Sequence, residues 1–288
     1  MSRLISTFLL ITLLLAGQTA ATRVQWNQPM EPFRIAGNIY YVGTAGLASY
    51  LITTPQGDFL LDGGLPESAP RIEKSIIKLG FRLEDVKILI NSHAHSDHAG
   101  GLAELKRETG AQLITSRADG DLINQGRQVY FDLDPDRMFP PAKVDRFIED
   151  GGALQLDGTT LTAHLTPGHT RGCTTWTMPV VEAGKAYNVV FLCSITSSGF
   201  RFFNNSKNPH LIDDFNLTFA KLRQMPCDIL LAPHGGLFHL NEKRARMQPG
   251  GPNPFIDPTE LAAYVNATEQ DFRREVARQH AAAAAKAK

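Results

Sequence analysis

The stretch VKILINSHAHSDH, residues 86–98, joins a predicted strand to a cluster of side chains of the types that bind metal ions. Its first five residues form an apolar run typical of a buried strand. In the extended segment that follows, alternate residues point the same way, so His93 and His95 face one metal ion. Asp97 and His98, at the turn into the next helix, face a second ion. Catalytic zinc prefers imidazole and carboxylate ligands in sets of three with an open position, so this one stretch can supply four ligands to two ions.

Simpler interpretations exist for each of these residues taken alone. A single histidine after a strand is usually structural or exposed, and Asp97 alone could be the N-cap of the helix that precedes Ala99 and Gly100. Four metal-binding groups within six residues have no packing rationale, however. We therefore favour metal binding at this position.

Two further histidines directly follow predicted strands. His169 comes after the strand 159–166, and His234 ends the segment that begins with the strand 228–232. Ligands gather beyond the carboxyl ends of parallel strands in α/β proteins, so three such strands bring three histidine clusters to one edge of the sheets. The remaining histidines outside this pattern are expected to be ordinary: His164, His210, His239 and His280.

The rest of the sequence predicts two similar halves around one core. Apolar stretches alternate with turn residues over 33–62, which indicates an antiparallel meander, and the second half contains a hairpin turn at Asp157-Gly158. We predict an α+β fold, a four-layer αββα sandwich of two mixed sheets packed face to face with helices outside, in one domain over 22–288. The predicted strands are 39–42, 50–52, 59–61, 86–90, 111–115, 154–156, 159–166, 174–178, 188–192 and 228–232. The predicted helices are 67–79, 98–109, 213–225 and 258–280, with a frayed alanine-rich end at 281–288.

Residues 1–21 have the features of a secretory signal peptide: a basic residue at Arg3, a short apolar run over 4–16, and small residues at 19–21. A membrane anchor is the competing interpretation, but the run is too short to span a bilayer comfortably. No cysteine comes directly after the end of this apolar run, which disfavours a lipid anchor. We expect cleavage near Thr22 and release into the periplasm.

The charge balance argues against nucleic acid as a partner. The chain has 29 Lys+Arg and 29 Asp+Glu, and removal of Arg3 leaves 29 − 1 = 28 bases. A protein that binds a phosphate backbone normally has a strong basic excess or a dense basic stripe. We expect a monomer with a small-molecule substrate, and no membrane contact after signal cleavage.

Three cysteines, Cys173, Cys193 and Cys227, allow at most one internal disulfide. Their spacing is wide and irregular, and each lies beside apolar residues. Free buried cysteine behaves as a small apolar residue, so we predict three buried thiols and no bridge.

The motif His-x-His-x-Asp-His, followed by Ala99-Gly100-Gly101, Pro167-Gly168-His169-Thr170 and Pro233-His234, resembles the metallo-β-lactamase superfamily over nearly the whole mature chain. Within it the chain is most similar to subclass B3, through segments 46–50, 139–142 and 209–214. The resemblance implies one Zn²⁺ on His93, His95 and His169. It implies a second Zn²⁺ on Asp97, His98 and His234, with Asp97 and His98 acting in catalysis. It also implies that Ser194 and Thr196 bind the substrate carboxylate and that Asp62 fixes a ligand imidazole. Without the resemblance, Ser194 and Thr196 are strand-end hydroxyls and Asp62 opens a turn.

The implied activity is hydrolysis of the lactam amide of penicillins, cephalosporins and carbapenems by a zinc-bound hydroxide. The alternatives are a zinc hydrolase of another small ester, lactone or thioester, or a metal-binding protein without catalysis. Relatives that act on lactones or thioesters carry a bridging aspartate, whereas this sequence has none between His169 and Asp213. Relatives of subclasses B1 and B2 place a zinc-binding cysteine there, but the register puts Ser194 at that position and Cys193 one residue earlier.

Two local features complete the sequence-based expectations. The pair Gly235-Gly236 after His234 departs from the subclass pattern and is expected to loosen that loop. The segment 125–143, which contains several aromatic residues, is expected to border the substrate cleft, or else to be a surface excursion.

Overall fold

The computed structural model describes residues 20–128 and 137–286. A seven-stranded sheet has the order β1-β2-β3-β4-β5-β6-β9 and a five-stranded sheet has the order β10 to β14, while β7 and β8 form a separate pair. The strands of the first sheet are β1 (Phe33–Ala36), β2 (Ile39–Tyr41), β3 (Tyr50–Ile52), β4 (Asp58–Leu61), β5 (Val86–Ile90), β6 (Gln112–Ser116) and β9 (Arg146–Ile148). The pair is β7 (Arg127–Gln128) and β8 (Arg137–Met138). The second sheet contains β10 (Ala153–Leu156), β11 (Thr159–Leu165), β12 (Thr174–Glu182), β13 (Lys185–Phe191) and β14 (Ile229–Leu231).

Both sheets are mixed. Strands β4, β5, β6 and β9 pair in parallel, as do β13 and β14, and the other pairings within the two large sheets are antiparallel. The helices are α1 (Ala20–Trp26), α2 (Ala69–Lys78), α3 (Leu102–Thr109), α4 (Arg117–Gln125), α5 (Leu211–Leu222), α6 (Leu240–Ala245) and α7 (Glu260–Lys286). The predicted αββα class is confirmed.

The first sheet is buried on both faces, and its side chains alternate between two apolar clusters. Tyr50 and Ile52 belong to the cluster between the sheets, whereas Leu51 belongs to the cluster that α2 and α3 complete on the outside. This alternation follows from the period of two along a strand. Helices α5 and α7 pack against each other, and α7 packs against β14 of the second sheet; the ring centroids of Phe215 and Phe272 lie 5.1 Å apart.

The predicted helix limits differ most from the structure at the start of α3 and at the end of α7. Helix α3 begins at Leu102 and not at His98, because Asp97 to Gly101 form a tight turn in which the His98 carbonyl accepts the Gly63 N–H at 2.7 Å. Helix α7 continues to Lys286, through the alanine run expected to fray. Alanine has the highest helix propensity, which accounts for this extension.

The prediction of three free thiols was wrong. Cys173 and Cys193 form a disulfide with a Cα–Cα distance of 5.9 Å, and Cys227 is free and half-buried. The two partners are 20 residues apart in sequence, but antiparallel pairing of β12 with β13 brings them side by side at the ends of these strands. The sequence spacing of the cysteines does not predict this contact.

The proposed signal peptide lies mostly outside the described residues. Within residues 20–128 and 137–286, no helix is long and apolar enough to cross a bilayer. In the segment expected to border the cleft, Tyr130 and Phe131 also lie outside the described part. Phe139 is buried in the outer apolar cluster, so this ring does not face a cleft.

Candidate metal centre

Six side chains from distant parts of the sequence meet beyond the carboxyl ends of three strands. His93 and His95 follow β5, His169 follows β11, and His234 follows β14. The metal-binding atoms within each of two groups lie within 4.8 Å of one another. The first group is His93, His95 and His169, and the second group is Asp97, His98 and His234. The structure thus brings together all six side chains that the sequence singled out.

The imidazoles of the first group surround one point. The ring centroids of His93 and His95 are 4.6 Å apart, and the His169 centroid lies 4.9 and 4.7 Å from them. The Nδ1–H of His169 donates to the Thr196 carbonyl at 2.8 Å. A hydrogen bond on one ring nitrogen fixes the tautomer and leaves the other nitrogen as a metal ligand.

The second group adjoins the first, since the His93 and His98 centroids are 4.3 Å apart. The Nε2 atoms of His98 and His234 are separated by 3.2 Å, and Asp97 Oδ2 lies 3.4 and 3.5 Å from them. These separations suit three ligands of one ion with metal–ligand distances of about 2.0–2.2 Å. Among the described residues, buried Asp97 Oδ1 has no hydrogen-bond partner. A cation would compensate the cost of burying this oxygen, so the donor set fits a metal.

The electrostatics of the site favour the metal-binding forms. Burial, and then the neighbouring histidines, hold the pKa of His93 and of His95 well below the ordinary range. Burial also lowers the pKa of His169 and of His234 to about 4. Burial alone would raise the pKa of Asp97, but His98 and His234 outweigh it and hold that pKa well below its usual value. Neutral imidazoles and an ionised carboxylate are the forms that bind metal ions. His98 is the exception: burial alone would lower its pKa, but Asp97 and Asp62 outweigh burial and raise it, so metal binding would displace a proton from this ring.

Asp62 organises the loop between β5 and the first ligand. Its Oδ1 accepts the Ser92 N–H at 2.7 Å and its Oδ2 accepts the Ser92 hydroxyl at 2.6 Å. The Ser92 Oγ lies 3.0 Å from His93 Nδ1. The resemblance implied that Asp62 is an acceptor that fixes a ligand imidazole. Its Oδ2 is 3.7 Å from His98 Nδ1, too far for a hydrogen bond. Asp62 reaches His93 through Ser92 instead.

Replacement of Ser92 by alanine is expected to weaken zinc binding about 10–100-fold, the usual effect of losing a partner that orients a ligand. The reason is that His93 would lose the hydroxyl that links it to Asp62. The measurement is a zinc titration in competition with a chelating dye. Ser75→Ala, a buried serine on α2, is the matched control. Unchanged affinity in the Ser92 variant would show that this link does not orient the ligand.

Ser194 and Thr196 follow β13 and border the first group. Their hydroxyl oxygens are 3.1 Å apart, and Thr196 Oγ1 lies 3.4 Å from His169 Nδ1. Ser194 is buried and Thr196 is partly exposed. A molecule bound at the metal centre could therefore contact the partly exposed Thr196 hydroxyl before the buried hydroxyl of Ser194.

Trp26 contacts the centre although sequence reasoning did not single it out. The Trp26 ring lies 4.8 Å from the His234 ring, centroid to centroid. The Trp26 carbonyl accepts the Gly46 N–H at 2.9 Å and the Thr44 hydroxyl at 2.8 Å. A Cβ at Gly46 would lie 2.5 Å from the Trp26 ring, so only glycine fits there. Trp26 is not part of a sequence motif, so the residues around it do not predict its contact with His234.

The loop after His234 is more ordered than the glycine pair suggested. Residues Gly235–Phe238 form a 3-10 helix, and Leu47 forms a β-bridge with His234. The Gly235 N–H donates to the Gly46 carbonyl at 3.3 Å. Backbone contacts with residues 46 and 47 hold this ligand in place.

An αββα sandwich with two adjacent groups of three metal-binding side chains at one sheet edge defines a metallo-hydrolase. A family model described as the metallo-β-lactamase superfamily matches residues 45–181. Two solved structures are similar over almost their whole length. The subclass B3 metallo-β-lactamase of Bradyrhizobium japonicum is 43% identical, with a TM-score of 0.84 over 92% of this chain and 99% of that one. A metallo-β-lactamase of Cronobacter sakazakii with an HARLDQ motif is 40% identical, with a TM-score of 0.86 over 90% and 99% of the two chains.

The chain belongs to the metallo-β-lactamase superfamily, and its structure resembles subclass B3 enzymes. It reads HAHSDH at residues 93–98, where His95 and His98 differ from the arginine and glutamine of the HARLDQ motif. Among curated sequences, hydroxyacylglutathione hydrolase of Hyphomonas neptunium is 31% identical over 49% of this chain and 47% of that protein. The matches with the first curated relatives thus span less than half of their length.

Proposed function

We propose that this protein is a zinc-dependent β-lactamase that hydrolyses the lactam amide of penicillins, cephalosporins and carbapenems. The observation that carries the proposal is the pair of adjacent three-ligand groups, in which burial lowers the pKa of His169 and of His234 and the pKa of Asp97 is held well below its usual value. The similar solved structures, at 43% and 40% identity, are metallo-β-lactamases, which favours a lactam over other substrates.

The proposed cofactors are two Zn²⁺ ions. His93, His95 and His169 would hold the first, and Asp97, His98 and His234 would hold the second. Bound zinc would supply a water activated near neutral pH and a Lewis acid for the lactam carbonyl. Within the part of the chain that the structure describes, neither group includes a fourth protein ligand, which favours a catalytic over a closed structural site.

The side chains around these ions would bind and orient the substrate. We assign Asp97 Oδ1, which lacks a partner among the described residues, to orient the attacking water and accept its proton. The His98 imidazole is the principal group that lowers the pKa of the Asp97 carboxyl, and a zinc ion bound by both side chains would likewise favour the ionised carboxylate. The hydroxyls of Thr196 and Ser194 would donate to the substrate carboxylate. Trp26, against His234, would form one wall of the cleft and exclude water on that side.

A second candidate function is hydrolysis of a small ester, lactone or thioester, which the likeness to hydroxyacylglutathione hydrolase favours. The position of the bridging aspartate in such enzymes is expected within 191–196. There Cys193 is held in a disulfide and Ser194 is neutral. Without a carboxylate to bridge the two groups, the lactam remains the better substrate class.

Purified protein loaded with zinc is expected to hydrolyse both nitrocefin and imipenem, to lose this activity in a chelator, and to regain it when zinc is added back. The reason is that the ligand atoms of each metal group lie within 4.8 Å of one another. Initial rates with the two β-lactams, a lactone and a thioester provide the measurement. Cleavage of the thioester or lactone with no turnover of either β-lactam would replace the first candidate by the second. Zinc binding with no hydrolysis of any of the four substrates would contradict both.

We further propose that residues 1–21 are removed during export and that 22–288 form a single periplasmic domain. The disulfide between Cys173 and Cys193 supports an oxidising compartment, because such bonds are rare in the cytosol. Helix α1 begins at Ala20, and Trp26 at its end is part of the site. Cleavage near Thr22 would therefore leave Trp26 in the mature chain.

A further inference from the structure

One buried carboxylate lies behind the first metal group without belonging to it. Asp119 is in the first turn of α4, directly after β6, and is 1% exposed. Its Oδ2 accepts the Ala94 N–H at 2.9 Å and the Thr170 hydroxyl at 2.7 Å, and its Oδ1 accepts the Gly172 N–H at 2.9 Å. Three donors thus converge on one carboxylate.

These donors come from the two segments that carry the first metal group. Ala94 lies between His93 and His95 after β5, in the seven-stranded sheet. Thr170 directly follows His169, after β11 in the five-stranded sheet. The carboxylate of Asp119 therefore connects segments from the two sheets at the point where their ligands must meet around one ion.

The contact is closely packed. A Cβ at Gly172 would lie 2.5 Å from the Asp119 backbone nitrogen and 2.6 Å from its Cγ, so only glycine allows the approach. The Ser116 hydroxyl donates to the Gly172 carbonyl at 2.6 Å. Burial of a carboxylate is costly unless its oxygens are hydrogen-bonded, and here the donors are supplied by the ligand segments themselves.

We propose that Asp119 is a positioning residue that ties the His93–His95 segment to the His169 segment and thereby sets the metal affinity of the first group. This inference rests on the proposed metal binding but not on the choice of substrate. Asp119 holds both segments of the first group, through Ala94 and Thr170, whereas it holds only one segment of the second group, because Asp97 and His98 follow Ala94 in the same loop. The effect is therefore expected to be larger on the first group.

The test is stepwise zinc binding to the full-length mature protein, measured by competition with a chelator. Asp119→Asn retains the shape of the side chain but replaces one acceptor oxygen by a donor. We expect one of the two binding steps to weaken about 10–100-fold and the other to change much less. In a His95→Ala background, where the first group is already broken, the same substitution is expected to have a much smaller effect. Both steps weakened equally, or neither, would overturn the proposal.

Two additional variants guard against a simple folding defect. Thr170→Val removes one donor to Asp119 at nearly constant volume, and Thr170→Ser restores a hydroxyl. We expect partial weakening of the same binding step in the first and rescue in the second. The control is Asp58→Asn, a buried carboxylate that accepts the Thr54 N–H at 3.2 Å at the opposite end of β4 from the site. A protein that binds zinc in two steps but hydrolyses no β-lactam would refute the proposed function while leaving this inference testable.

Discussion

The His95→Ala protein is expected to retain its fold and to lose on the order of 10³-fold in kcat/KM for nitrocefin, more than the 10–100-fold typical for a residue that only orients a ligand. His95 is buried and its ring lies 4.7 Å from that of His169, so its loss leaves two imidazoles in the first group. Two ligands hold an ion far less tightly than three, and the ion supplies the chemistry of the proposed reaction.

The measurement combines kcat/KM in excess zinc with the zinc content of the dialysed protein. We expect the variant to retain one equivalent where the wild type retains two. His210→Ala is the matched control, because the His210 side chain is 78% exposed at the start of α5 and should keep full activity. Full activity in the His95 variant would refute the ligand assignment and the mechanism with it.

The second large effect is on stability. Replacement of both Cys173 and Cys193 by serine is expected to lower the free energy of unfolding by about 3 kcal/mol, the value for a bridge that closes a loop of this size. In a domain of this size that corresponds to a decrease in Tm of roughly 6–12 °C. The physical reason is that the bridge, which spans a sequence separation of 20, restricts the unfolded chain.

Thermal unfolding followed by circular dichroism, with and without a reductant, measures this effect. Reductant should lower the Tm of the wild type and leave that of the double variant unchanged. Cys227→Ala is the control, because Cys227 is free and its removal should not alter the response to reductant. A wild-type Tm that does not respond under conditions that reduce the bridge would contradict the prediction.

The sequence predicted those parts of the fold and site that depend on local pattern. Strand β5 was predicted with its observed limits, and the close spacing of His93, His95, Asp97 and His98 identified the site directly. His169 and His234 could be placed because each follows an apolar run that ends at the same edge of the sheets.

The features that were missed depend on neighbours distant in sequence. The disulfide follows from the pairing of β12 with β13, which the intervals between cysteines do not encode. The start of α3 is set by close packing of Gly101 against Gly63, where a Cβ would lie 2.2 Å from the Gly63 carbonyl oxygen. Asp119 is a single acidic residue in an ordinary helix, and its three donors become visible only when both sheets are assembled.

Because Trp26 contacts His234, the residue at which a recombinant protein begins affects the site. A recombinant chain that begins at residue 30 would keep both sheets and every candidate metal ligand. It would lack the Trp26 indole against His234 and the Trp26 carbonyl that accepts hydrogen bonds from Thr44 and Gly46. Inhibitor affinities measured on such a shortened chain would refer to a cleft that lacks the wall proposed for Trp26. Comparison of preparations that differ only in their first few residues would therefore be informative about inhibitor binding as well as about processing.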